Sequence, residues 1–165
     1  ERVLTMVGFP TRVLPWREWF RAALFPARPV LAGHPGTARW LLLHGPAFPA
    51  MIPVVDAGIA SLQRAGFGAD TAKTYAALFN TALMTIASAD DRASHTRSAG
   101  RDHEALMDEF EALGRESPGI SLLTRDLAGR LTGSAESAAS VQDEYYRFVL
   151  ERLMDGLEGL TTSQR

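Results

Sequence analysis

LQRAGFGADTA (Leu62–Ala72) runs directly into TAKTYAALFNTALMTIAS (Thr71–Ser88), and the reading of this junction decides the fold. Upstream of it, Ile52, Val55, Ile59 and Leu62 recur at the spacing of one helical face, and Ala65-Gly66 closes that helix with a glycine just past its end. Asp70 is the candidate N-cap of the helix that follows. Tyr75, Leu78, Phe79, Ala82 and Ile86 form one stripe of that helix, while Ala76, Asn80, Leu83, Met84 and Ala87 fill the other side. A helix apolar nearly all round has to be covered on all sides, so it belongs at the centre of a helical bundle.

Working outward, the period remains helical and no alternating run reads as a strand. Glu1–Gly8 reads as the tail of a helix that begins upstream, broken by Gly8-Phe9-Pro10-Thr11. Pro15 suits the first turn of the next helix, whose Trp16, Trp19, Phe20 and Leu24 share a face; Pro26 and Pro29 are expected to bend or end it. Pro35 opens a short helix through Leu43, stopped by Gly45-Pro46. The polar run Asp91–Gly100 is expected as a loop, followed by a helix over Asp102–Gly114 with Leu106, Phe110 and Leu113 inward. Ser117-Pro118-Gly119 is a break, Leu123, Leu127 and Leu131 mark a further helix ended by Gly133-Ser134, and the last helix spans Ser140–Leu160. The expectation is an all-α bundle of about six to seven helices forming one domain over residues 1–165.

With 165 residues, 46% of them apolar, the chain can bury a core without staples. A net charge of −2 with scattered basic residues gives no electrostatic reason to bind a polyanion. The absence of cysteine removes thiol redox chemistry, disulfides and zinc-thiolate sites. No apolar run approaches the roughly 20 residues that span a bilayer and no secretory leader is visible, so the expected location is cytoplasmic, with no membrane partner.

Catalytic patterns are missing. There is no glycine-flanked serine, phosphate loop or dinucleotide fingerprint. Asp90-Asp91 and Asp108-Glu109 are adjacent pairs that diverge on a helix instead of sharing a substrate. His95, four residues after Asp91, and Asp102-His103-Glu104 are the only group from which a metal site could be drawn; HEALM (His103–Met107) lacks the second histidine of the zinc-protease helix, and these residues read as solvated. The expectation is therefore no enzyme, no metal and no cofactor. His34 reads as an exposed helix-start residue. His44, on a helix otherwise made of Trp40 and leucines, reads as a core or boundary residue, or as a polar contact inside a cavity.

The more informative cluster is apolar. Trp16, Trp19, Phe20, Phe25, Trp40, Phe48, Met51, Phe79 and Met84 lie in the first half of the chain, where prolines 26, 29, 46, 49 and 53 interrupt the helices. Most of these side chains are core, yet interrupted helices leave room between them, and such gaps are common small-molecule sites. Asn80, Thr81 and Thr85 place hydrogen-bonding groups in an otherwise apolar helix. Ala72, Ala76, Ala82, Ala87 and Gly156 would let a second helix approach closely, within one chain or between two copies.

The order of His34-Pro35, LQRAGFGADTA and the closing FVLERLMDGLEGL (Phe148–Leu160) resembles the C-terminal ligand-binding and dimerisation domain of tetracycline-repressor (TetR) type transcription regulators. The resemblance covers Trp16–Arg92 best. It implies an all-helical homodimer joined by two long helices, here Thr71–Ser88 and Ser140–Leu160, with Ala76, Leu83, Tyr146, Leu150, Leu153, Gly156 and Leu157 as interface residues. It implies a cavity for a small, mostly apolar effector, with Trp19, Trp40, His44, Phe48, Met51, Asn80 and Met84 as lining candidates. DNA would be bound only through an N-terminal helix-turn-helix outside this chain. The competing expectation is a stand-alone helical bundle that binds a small molecule or a metal.

Overall fold

The computed structural model describes residues 2–46, 48–98, 100–128 and 135–162, and within them every regular element is helical. The chain is all-α. In order the helices are α1 (Arg2–Thr5), α2 (Trp16–Ala32), α3 (Thr37–His44), α4 (Ile52–Ala65), α5 (Thr71–Ser98), α6 (Gly100–Glu116), α7 (Pro118–Leu123) and α8 (Ala135–Thr162). Short 3-10 turns over Pro49–Met51 and Gly68–Asp70 lead into α4 and α5, and a π-type turn over Thr124–Ala128 follows α7. The helices group into two compact units, residues 1–90 with 146–165 and residues 91–145.

The first unit holds the main core. Trp16, Trp19, Phe20, Ala23, Leu24, Ala27 and Leu31 are the buried stripe of α2. The helix runs unbroken through Pro26 and Pro29, which were expected to bend or end it. Each proline removes one internal N–H, so the carbonyls of Ala22 and Phe25 lose their helical donors, but burial of the flanking apolar residues holds the helix together. Its first turn is secured by the Trp19 amide, which donates to the Pro15 carbonyl at 2.9 Å.

α4 stops as the sequence indicates. Gly66 adopts φ 90°, a left-handed conformation that costs a residue with a Cβ, and its amide donates to the Gln63 carbonyl at 3.0 Å. Gly58 has a different function. A Cβ there would lie 2.7 Å from the rings of both Trp19 and Tyr75, so its missing side chain lets α4 seat against α2 and α5. Asp70 does not cap α5; it ends the 3-10 turn and pairs with Lys73 at 3.1 Å.

α8 closes the unit through a ladder of ion pairs with α2. Arg17 reaches Asp155 at 2.9 Å and Glu158 at 2.6 Å, and Arg21 meets both carboxylate oxygens of Glu151 at 2.7 Å. Beneath the ladder Tyr146, Leu150 and Met154 are fully buried.

Two expectations are corrected in the second unit. The run Asp91–Gly100 is not a loop, because α5 continues to Ser98. Polarity alone does not end a helix, and no glycine or proline falls between Thr71 and Ser98. Phe110 and Leu113 on α6 are exposed in place of facing inward, at 43% and 45%. The break before α7 is a cap, since Ser117 Oγ accepts the amide of Ile120 at 3.3 Å. The expected helix marked by Leu123, Leu127 and Leu131 is represented by α7 and the π-type turn; Leu131 and Gly133-Ser134 lie outside the described residues.

A candidate effector cavity

Inside the first unit α2, α3, α5 and α8 enclose a cavity of about 210 Å³. Leu24, Ala27 and Leu31 line it from α2, Leu41 and Leu42 from α3, and Tyr75, Phe79, Leu83 and Ile86 from α5. Leu4 and Phe9 of the N-terminal segment, Met51 of the first 3-10 turn and Tyr146 of α8 complete much of the wall. The space exists because small residues alternate with large ones: Ala27, Ala76, Ala82 and Gly45 stand in the wall where larger side chains would fill it. Pro46, Ala76 and Asn80 are the exposed members of the wall.

The wall carries no charged side chain. Its polar lining residues are Tyr75, Tyr146 and Asn80. Tyr146 is engaged, donating to the Leu24 carbonyl at 2.8 Å. Tyr75 is stacked on Phe79 with ring centroids 4.6 Å apart and planes 24° from parallel. Its hydroxyl is buried without a hydrogen-bond partner, and burial pushes the phenol well above its ordinary range. It is therefore a neutral O–H donor across the usual pH range.

The candidate residues read from the sequence scatter around this cavity. Met51 and Asn80 line it. Trp19 is completely buried one layer further in, between Phe20, Tyr75 and Phe79. Trp40 and Phe48 stack on each other outside it, with centroids 5.4 Å apart, and His44 lies 4.6 Å from the Trp40 ring; Trp40 is 44% exposed. Met84 faces away and is 59% exposed. Ala76 and Leu83, candidates for a dimer face, are in the cavity wall. Tyr146 and Leu150 are buried within the single chain, and Leu153 and Leu157 pack against the same core. Gly156 is exposed with open space around it.

Comparison of the chain with models of protein families, with curated proteins and with solved structures found no match.

Tyr75 was missed by sequence reading as a site residue, because an aromatic on an apolar stripe reads as core. The signal available was the small-large alternation of Tyr75, Ala76, Phe79 and Ala82 along one helix. Among the described residues no group of three or more acidic or histidine side chains could hold a metal, and the side chains of His95 and His103 lie outside them. Nor is any single helix among the described residues long and apolar enough to cross a membrane.

Proposed function

We propose that this chain is the effector-binding and dimerisation domain of a TetR-type transcriptional repressor, and that the cavity between α2, α3, α5 and α8 receives a small, mostly apolar effector. The observation that carries the reading is that cavity: an apolar chamber formed by the helices on which the resemblance rests, in a chain without catalytic motifs. Leu4 and Phe9 add support, because they bring the N-terminal segment into the wall. Occupancy of the cavity is thereby felt by the part of the chain that would lead from a DNA-binding head. Coupling of effector and operator requires such a differential contact.

The homodimer belongs to the same reading. Large apolar side chains left in solvent on the two long helices, Met84 on α5 and Phe148 on α8, are 59% and 61% exposed. A second copy covering them would remove that surface from water. Such a regulator works in the cytoplasm, without cofactor, and meets DNA through a helix-turn-helix upstream of Glu1.

The test is made on the chain expressed together with its upstream coding sequence. Operator selection should yield a palindromic DNA site, and a compound that raises the melting temperature of the 165-residue domain should release that site. Upstream coding sequence without a DNA-binding head would sink the regulator reading, even if compounds bind.

A further inference from the structure

Only three residues of the cavity wall have polar side chains, and the fold or the solvent already occupies each of them. The Tyr146 hydroxyl is used by the Leu24 carbonyl at 2.8 Å. The Tyr75 hydroxyl is shut off from water, and its ring packs toward α4 and α2: a Cβ on Gly58 would lie 2.7 Å from Tyr75 Cε2, and the Trp19 ring is 6.3 Å away between centroids. Asn80 is exposed, so a ligand that bonds it only replaces water. The carbonyls that Pro26 and Pro29 deprive of helical donors belong to Ala22 and Phe25, and neither residue is in the wall.

Building on the effector reading above, we propose that the cavity takes an uncharged single-ring hydrocarbon, held by burial alone, and that Ala27 and Ala82 set the size it admits. Three observations select this class. The wall has no charged side chain to neutralise an ionic ligand, and a hydroxyl taken inside loses its bonds to water without replacement. Phe9, Phe79 and Tyr146 put aromatic rings in the wall, which suit the face or edge of another ring. The volume, about 210 Å³, exceeds the ~150 Å³ of an engineered apolar cavity that takes up benzene, leaving room for a ring and a short substituent.

The size limit comes from two alanines on facing elements. Ala27 on α2 and Ala82 on α5 are both buried and both line the cavity, so a longer side chain at either has the cavity as its free volume. Filling it in this way removes the space for a ring without touching a hydrogen bond.

The experiment is isothermal titration of the 165-residue domain with toluene, phenol and benzoate, repeated on Ala82→Leu. Toluene and phenol share shape and differ in a methyl against a hydroxyl, so their affinity ratio reads whether the interior offers the hydroxyl a partner. The expected result is that toluene binds, that phenol binds roughly a hundredfold more weakly or not at all, and that benzoate does not bind. Ala82→Leu should weaken toluene at least about tenfold with helical content by circular dichroism unchanged; if that variant fails to fold, the smaller Ala27→Val gives the same readout. A clearly smaller gap between toluene and phenol, or benzoate binding as tightly as toluene, overturns the hydrocarbon class and leaves the effector cavity standing. Toluene binding that a folded filling variant leaves unchanged overturns the assignment to this cavity. If none of the three binds, the effector reading of the cavity fails together with the proposal.

Discussion

Tyr146, on α8, donates a buried 2.8 Å hydrogen bond to the carbonyl of Leu24, which lies two residues before Pro26 on α2. The bond joins positions 122 residues apart, within the buried stripe of α2. It attaches the start of the closing part of α8 to the backbone of α2.

Tyr146→Phe is therefore expected to destabilise the domain by about 1–2 kcal/mol, since the ring volume is kept and only the buried bond is lost. Urea unfolding of both proteins reads this directly. An unchanged midpoint would mean that the Leu24 carbonyl is satisfied without the phenol.

Tyr75→Phe should behave in the opposite way in the absence of any effector. The hydroxyl it removes is buried and unpartnered, so stability should stay the same or rise. The pH dependence follows with its sign. The phenol pKa is raised in the folded chain, so its protonated form is favoured by folding; this contribution is complete below the ordinary tyrosine pKa and is lost as pH rises above it. The variant should lose part of the alkaline decline in melting temperature, and identical alkaline profiles would contradict the burial.

Gly58→Ala should destabilise by about 1–3 kcal/mol despite alanine's better helix propensity. The new methyl meets two ring systems at 2.7 Å, and Trp19 is fully buried and cannot move aside. Thermal unfolding measures it. A gain in stability would show that the contact of α4 with α2 and α5 relaxes freely.

Phe148→Glu is expected to weaken a dimer while leaving the helical content unchanged, because Phe148 is exposed on α8. Leu153→Glu should unfold the chain instead, since Leu153 packs against the core. Light scattering and circular dichroism separate the two effects. A Phe148→Glu protein that remains dimeric removes this face from the interface.

Acid should loosen the α2–α8 ladder. The hydrogen bond from Arg21 holds the Glu151 carboxyl below its ordinary range, so its contribution is present above that range and is lost as pH falls through the lowered pKa. The effect is small, because the pair is partly solvated. Glu151→Gln should flatten the acid limb of the stability profile within and below the ordinary carboxylate range, and an unchanged acid limb would show that the pair contributes nothing.

Much of this protein follows from local rules that a sequence carries by itself. The 3.6-residue period of Trp16–Leu31 and Tyr75–Ile86, and the glycine at 66, are local properties of the backbone, and they specify an all-α chain with its main helix ends. The continuation of α5 through Asp91 was hidden, because polarity marks a solvated face as readily as a loop. The placement of side chains was decided only by tertiary packing. Met84 reads like Leu83, yet one is in solvent and the other in the cavity wall, because neighbouring residues on a helix point about 100° apart and only the packed partners determine which direction is inside. The same holds for the two tyrosines. Tyr146 and Tyr75 are chemically identical, and only the carbonyl of Leu24, brought within reach by folding, makes one structural and leaves the other with an unused hydroxyl.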